Sequence, residues 1–382
     1  MIEAKFRFKA NSIALAIFIL ASFTGAAIAN PQLLVDMETG EVLFEQEAGQ
    51  PWYPASLTKL TTALVVFNAI ESGRINLETP VGISALAART PGGKSGIAQG
   101  RAVKMGDALN LLIVKSANDI AVAIAQTVSG SVENFVVEMN RTAQNLGMSA
   151  TRFANPHGLS NANQVTSARD LAILALAIRG KFPQYSSLFA TSVVEVNGNA
   201  LESRNNLLTD FAGTNGMKTG YICAAGMNIV ATVERSGRKL LAVVLGTSSE
   251  RERAELVGQM IVQYLAGNGG GTGKSVALIR NDTGLAPVNM RPRLCGDQAA
   301  SYLGERASAF PYGLNGSPSF LTDQISPRSY RVNVMARLPA IPRPRPRLVR
   351  AAVNSVVQAS VPQTTITVAA TIVPIPRPRI HR

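Results

Sequence analysis

Pro54-Ala55-Ser56-Leu57-Thr58-Lys59-Leu60 is the stretch around which the rest of the sequence arranges itself. The apolar positions Leu57, Leu60, Leu64, Val65, Val66, Phe67 and Ile70 recur with helical period, which predicts a helix from near Ser56 toward Gly73. Positions i and i+3 share a helix face, so Ser56 and Lys59 stand within contact of each other in the first turn, among free N–H groups and at the positive end of the dipole. A serine hydroxyl barely ionises at neutral pH and needs an adjacent base; a lysine drawn out of water can be that base if its pKa falls. Alone, Ser-x-x-Lys is undemanding, and an N-cap serine with a solvated lysine one turn on is its commoner meaning.

Before this stretch, Leu33 to Asp36, Thr39-Gly40 and Val42 to Phe44 predict a β-hairpin with a glycine-containing turn. After it, Thr90-Pro91-Gly92-Gly93-Lys94-Ser95-Gly96 is a loop, either a plain connector or the border of a cleft. Helical period returns from Met105 to Val114, breaks at Lys115-Ser116-Ala117-Asn118-Asp119, and resumes at Ile120. Such a polar knot predicts a junction in which Ser116 or Asn118 caps the second helix, or in which both side chains enter a pocket. Further helices are expected over 132–146, 168–179 and 253–265, with a turn at Asn155-Pro156-His157-Gly158-Leu159. Strands are expected at 192–196, 217–222, 227–233 and 239–245, the last two apolar at nearly every position and so covered on both faces. This order predicts an α+β fold: an antiparallel sheet packed with terminal helices around an inserted, mostly helical region.

The 382 residues are 46% hydrophobic, enough for one large domain or two ordinary ones. Residues 1–29 carry Lys5, Arg7 and Lys9, an apolar run from Ile13 to Phe23 and the small-x-small ending Ala27-Ile28-Ala29. That is the pattern of a secretory signal cleaved before Asn30, and it predicts an exported protein of the periplasm or cell envelope. The net charge of +13 suggests nucleic acid until it is divided. Subtracting the +2 of residues 1–29 and the +7 of residues 338–382 leaves +4 for the body, so no nucleic-acid partner is expected. The excess sits in a Pro/Arg-rich tail, 338–382, whose repeats favour extended backbone and pack no core. Residues 267–273 are a glycine linker, and 275–337 suggest weak short strands with loops. Two cysteines and two histidines, without metal-ligand spacing, suggest no metal site and no cofactor.

His157 is the only histidine of the body and lies in a Pro-Gly turn, which nearly excludes a Ser-His-Asp hydrolase. What the body does hold, in order and at long intervals, is Ser56-x-x-Lys59, Ser116-x-Asn118 and Lys218-Thr219-Gly220: a helix start, an interhelical loop and a strand. These are the three elements of the penicillin-recognising serine enzymes. Together with Leu33 to Leu60, Asn155 to Leu159, Thr166 to Leu171, Arg204 to Leu208 and Asn215 to Tyr221, they make residues 31–265 resemble the low-molecular-weight D-alanyl-D-alanine carboxypeptidases, the S11 peptidases.

The resemblance implies a five-stranded antiparallel sheet flanked by helices with an inserted helical subdomain, a catalytic domain over 30–266, and a site between the two parts. It implies peptidoglycan stem peptides ending in D-Ala-D-Ala as substrates and β-lactams as covalent inhibitors. By the same likeness Ser56 is the nucleophile, Lys59 its base, Ser116 a proton relay and Asn118 a grip on the substrate backbone. Lys218 and Thr219 hold the terminal carboxylate, Gly220 lets the substrate lie along the strand, and the N–H groups of Ser56 and Tyr221 face the oxyanion.

Three alternatives stay open: an endopeptidase using the same groups on cross-links, a serine β-lactamase, and a non-catalytic wall-binding module. Against the β-lactamase, none of Glu133, Glu138, Glu195 and Glu202 stands in a Glu-x-x-Leu-Asn setting. The family's C-terminal β-rich domain and amphipathic helix are not clear in 275–382, which leaves membrane attachment open. A Cys223–Cys295 disulfide is permitted by export and would pin the segment after the linker back onto the sheet. The tail is suited either to anionic headgroups and wall polymers or to nothing beyond solubility.

Overall fold

In the computed structural model, which describes residues 30–335, the predicted hairpin opens the chain as β1 (Gln32–Asp36) and β2 (Val42–Gln46). A 3-10 turn, Ala55–Leu57, leads into α1 (Thr58–Glu71). Ten consecutive positions from Thr58 to Phe67 are buried, so α1 is covered all round and runs through the interior. That is why a lysine at its second position can be wholly removed from water. The inserted region follows: β3 (Pro80–Gly82) paired with β4 (Ala102–Lys104), α2 (Ala85–Arg89) between them, then α3 (Met105–Asn110), α4 (Asn118–Ser129) and α5 (Val132–Asn145).

Next come α6 (Ala168–Lys181), α7 (Ser186–Ala190), β5 (Val193–Val196), β6 (Asn199–Glu202), α8 (Leu207–Asp210), and the long strands β7 (Thr214–Ile222), β8 (Gly226–Arg235) and β9 (Arg238–Thr247). The last elements are α9 (Glu250–Leu265), α10 (Arg291–Cys295), α11 (Ala299–Ala309) and β10 (Ser329–Val332).

Five strands make one antiparallel sheet in the order β2-β1-β9-β8-β7. Alternation along β9 explains why nearly every position in it is apolar. Leu241, Val243 and Leu245 join the core shared with α1 and α6, while Leu240, Ala242 and Val244 join a second core under α9. Each such Leu or Val side chain contributes roughly 1.5–3 kcal/mol by leaving water. The β2 edge is covered by the glycine linker, with Val42 N–H donating to Lys274 O and Thr272 N–H donating to Val42 O at 2.8 and 2.9 Å. The β7 edge borders the site.

Two expectations are corrected. Neither Ser116 nor Asn118 caps α4: its N-cap is Ala117 with no side-chain cap, and Ser116 takes the left-handed conformation at φ +60°. Over 275–335, in place of weak short strands, the chain forms α10, α11 and one strand, β10, which adds parallel to β5. The segment is tied down by the Cys223–Cys295 disulfide, by Tyr330 Oη donating to buried Asp107 at 3.0 Å and by Arg306 Nε donating to Glu252 Oε1 at 3.0 Å. The signal segment and the Pro/Arg tail lie outside the described residues.

Candidate active site

The three sequence elements converge on one cleft of about 460 Å³. Its walls include Ser56, Ser116, Asn118, Lys218, Thr219, Gly220 and Tyr221. Lys59, the remaining predicted residue, lies fully buried beneath Ser56, with Nζ 3.0 Å from its Oγ. The other two Nζ contacts, each 2.7 Å, go to Asn118 Oδ1 and to the backbone carbonyl of His157. Asn118 is oriented by its Nδ2, which donates to Pro91 O at 2.9 Å, so its oxygen faces the lysine.

This set of partners fits a neutral amine. Two N–H groups go to two groups that can only accept, leaving a lone pair for the one partner able to donate, the Ser56 hydroxyl. Burial, then the nearby Lys218 charge, holds Lys59 well below the ordinary lysine range, against a smaller opposite pull from Asp119. The arrangement can take a proton from Ser56 as its oxygen attacks a carbonyl carbon.

Ser56 owes its pose to tight backbone packing. Ala55 sits at φ +48°, and Gly158 and Gly220 press against the peptide groups on either side: a Cβ at Gly158 would lie 1.9 Å from Ala55 O, and one at Gly220 would lie 2.9 Å from Ser56 N. Only glycine permits these approaches. In the first turn of a helix the N–H of Ser56 has no helical acceptor and is available to a ligand oxygen.

On β7, Lys218 is 3% exposed, and its Nζ donates to Thr219 O at 2.9 Å. Burial, and then the charge of Arg253, lowers its pKa to about 7. Arg253, on α9 and 1% exposed, donates from Nη2 to Arg204 O at 2.6 Å, and among the described residues its Nε has no partner. Lys218 and Arg253 are buried cations that form no salt bridge among the described residues, and with Glu250 only partly offsetting Arg253 they make this corner receptive to an anion.

Several contributors lie outside the sequence motifs. Asp119 accepts from Ser95 N–H and Oγ, and Asn118 N–H donates to Gly93 O, so the 90–96 loop is stitched to the Ser116 loop and puts Gly92 and Gly93 in the cleft wall. Of the two readings of that loop, the cleft border is the one found. Arg253 carries no motif. His157 serves through its main chain; its ring is lowered to about 4, chiefly by burial and then by Lys59, and its Nδ1 accepts from Leu159 N–H at 3.2 Å. Of the four glutamates weighed as deacylation bases, Glu202 lines the cleft, while Glu138 is tied to Arg74 and Ser129 and Glu195 to Arg331.

The model of the D-alanyl-D-alanine carboxypeptidase family matches residues 22–249. D-alanyl-D-alanine carboxypeptidase DacF of Bacillus subtilis is 32% identical over 238 residues, which are 61% of this chain and 61% of that protein. Among solved structures, penicillin binding protein 5 from Haemophilus influenzae is similar at 34% identity and TM-score 0.59, covering 62% of this chain and 70% of that one. Penicillin-Binding Protein D2 from Listeria monocytogenes, in its cefotaxime-bound form, is similar at 30% identity and TM-score 0.56, covering 61% and 96%. A family match across well over half of the residues, on a shared fold, places this chain in the D-alanyl-D-alanine carboxypeptidase family, peptidase S11.

Proposed function

We propose that the chain is a serine-type carboxypeptidase that removes the terminal D-alanine from peptidoglycan stem peptides through an acyl-enzyme on Ser56. The observation that carries this is Lys59: buried, depressed in pKa, and offering Ser56 the one hydrogen-bonding position its other partners leave open. Ser56 Oγ attacks the penultimate D-Ala carbonyl and its proton passes to Lys59. The backbone N–H groups of Ser56 and Tyr221 receive the oxyanion, and Ser116 relays the proton to the departing D-alanine nitrogen. Lys218 and Thr219 take the terminal carboxylate, with Arg253 adding positive potential behind them. Water then cleaves the ester. Asn118 serves first to orient Lys59, with one Nδ2 hydrogen left for the substrate backbone.

β-Lactams would acylate Ser56 by the same steps and leave slowly, since no glutamate in the interval has the Glu-x-x-Leu-Asn setting of one class of deacylating enzyme. Export rests on the sequence of residues 1–29, and contact of the basic tail with anionic membrane or wall polymer rests on the Arg spacing of 338–382. The test is release of free D-alanine from a soluble pentapeptide. Preferential cleavage of a cross-linked dimer would favour the endopeptidase, and absence of covalent labelling by a fluorescent penicillin would favour the non-catalytic module.

A further inference from the structure

The disulfide stands where an extended substrate would leave the cleft. Given the proposed function, on which this rests, the direction of the substrate along β7 is set by two fixed points. The terminal carboxylate goes to Lys218, and the reacting carbonyl goes to the Ser56 N–H, against which Gly220 packs. A chain with its C-terminus at Lys218 and its scissile carbonyl beside Gly220 must continue, toward its own N-terminus, past Tyr221 and Ile222 to Cys223. At about 3.4 Å per residue that path is roughly 17 Å from Lys218, and the second and third residues on the N-terminal side of the scissile bond fall opposite Ile222 and Cys223.

At that end of β7 stands the C-terminal segment. Cys223 opens the β7–β8 turn and is bonded to Cys295, the last residue of α10. Tyr221, 45% exposed and in the cleft wall, has its hydroxyl 3.7 Å from the Cys223 sulfur and 3.3 Å from the Cys295 sulfur. The Met290 N–H donates to Ala224 O at 3.0 Å, holding the start of α10 against the same turn.

We infer that the Cys223–Cys295 disulfide and the α10 helix it holds form the outer wall of the acyl-side subsite and position Tyr221, so that the enzyme distinguishes extended stem peptides from short D-Ala-D-Ala compounds. The disulfide is a positioning element: it touches the Tyr221 hydroxyl, while the Tyr221 main chain is held by its pairing with Met227 of β8 and the Ser56–Lys59 pair is left alone. Two other tethers, Met290 to Ala224 and Arg306 to Glu252, remain when the bond is absent, so the segment stays attached while its edge at Tyr221 loosens.

The test compares wild type with the Cys223→Ser/Cys295→Ser double variant on three ligands. These are a stem pentapeptide, N-acetyl-D-alanyl-D-alanine, which ends opposite Tyr221, and benzylpenicillin. Expected is a fall of about tenfold in kcat/KM for the pentapeptide, mostly through KM, with the dipeptide rate and penicillin acylation within about twofold of wild type; tenfold is what one lost contact of ordinary hydrogen-bond strength produces. An unchanged pentapeptide-to-dipeptide ratio, whether both rates hold or both fall together, overturns the inference. Should the double variant fail to fold, the same ratio is read on wild-type protein whose disulfide has been reduced to two thiols by a water-soluble phosphine, the phosphine becoming its oxide. A wild type that releases D-alanine from neither peptide sinks the underlying function and this inference with it, which separates the two failures.

Discussion

Replacing Asn118 by Asp changes one atom's chemistry at the most sensitive point of the site. The side-chain shape and an oxygen facing Lys59 are kept, but a carboxylate now sits where Asn118 Oδ1 lies 2.7 Å from Nζ. An opposite charge at such a distance shifts a pKa by about 1 to 3 units toward the charged form. At an effective dielectric constant near 20 the attraction at 4 Å is about 4 kcal/mol, and the cost of burying the new carboxylate reduces it. Lys59, now depressed by burial and Lys218, would move back toward its ordinary range and hold a proton at neutral pH. Because a base works only when deprotonated, the acid limb of the rate profile moves to higher pH by about 1 to 3 units, each unit costing about tenfold at a fixed pH on that limb. The assay is the second-order rate of penicillin acylation, and kcat/KM for a pentapeptide, from pH 5 to 10. Loss by a constant factor at every pH, with the limb unmoved, would refute the dependence of catalysis on a deprotonated Lys59.

Fluorescent penicillin should leave one adduct, on Ser56 by mass spectrometry, and Ser56→Ala should abolish it; surviving label would overturn the nucleophile assignment. Lys218→Ala should lower kcat/KM by about 10- to 150-fold, the worth of a charge-assisted bond of about 1.5–3 kcal/mol. Because Lys218 is charged only below its pKa of about 7, wild-type kcat/KM for carboxylate-bearing substrates should decline as pH rises through that value and the variant should lack the decline; a shared decline would place it elsewhere. Gly158→Ala forces a Cβ onto Ala55 O at a positive φ and should destabilise the fold by at least about 1–3 kcal/mol, read as a lower Tm together with slower acylation. An unchanged Tm would show that the backbone there yields freely. Deleting 338–382 should leave turnover of a small peptide unchanged and reduce retention on anionic vesicles at low salt, the difference vanishing as salt screens the charges; equal retention at low salt would end the anchoring role.

The long strands and the helices of regular period are legible in the sequence because burial on both faces leaves unbroken apolar runs, as in β8 and β9. Apolar period alone starts α9 at Arg253, three residues late, because its true start signal, Ser249 accepting from Glu252 N–H at 3.1 Å, lies among charged residues. The site residues are legible as three short motifs, since nucleophile, base and strand need fixed residue types at local spacing. What local spacing cannot carry is a partner far away in sequence. The His157 carbonyl reaches Lys59 across 98 residues, and the role belongs to a main-chain atom that any residue supplies. Arg253 and Asp119 lie outside the motifs for the same reason. The C-terminal segment defies a reading by period because its stability comes from attachment points: a disulfide, Asp107 and Glu252, each long-range.

The electrostatics of the site connect these parts. Lys59, Lys218 and Arg253 are all buried, and burial is the largest cause depressing each of them. A neutral Lys59 requires low solvent access and a neighbouring positive charge; Lys218 supplies that charge while itself resting at about 7, close to its own neutrality. A ligand carboxylate placed on Lys218 favours its charged form, and within that ion pair each charge offsets the other's field at Lys59, so burial remains the main cause keeping Lys59 a free amine. In the proposed mechanism the two lysines divide the work: Lys218 holds the terminal carboxylate, and Lys59, kept neutral chiefly by burial, activates the nucleophile.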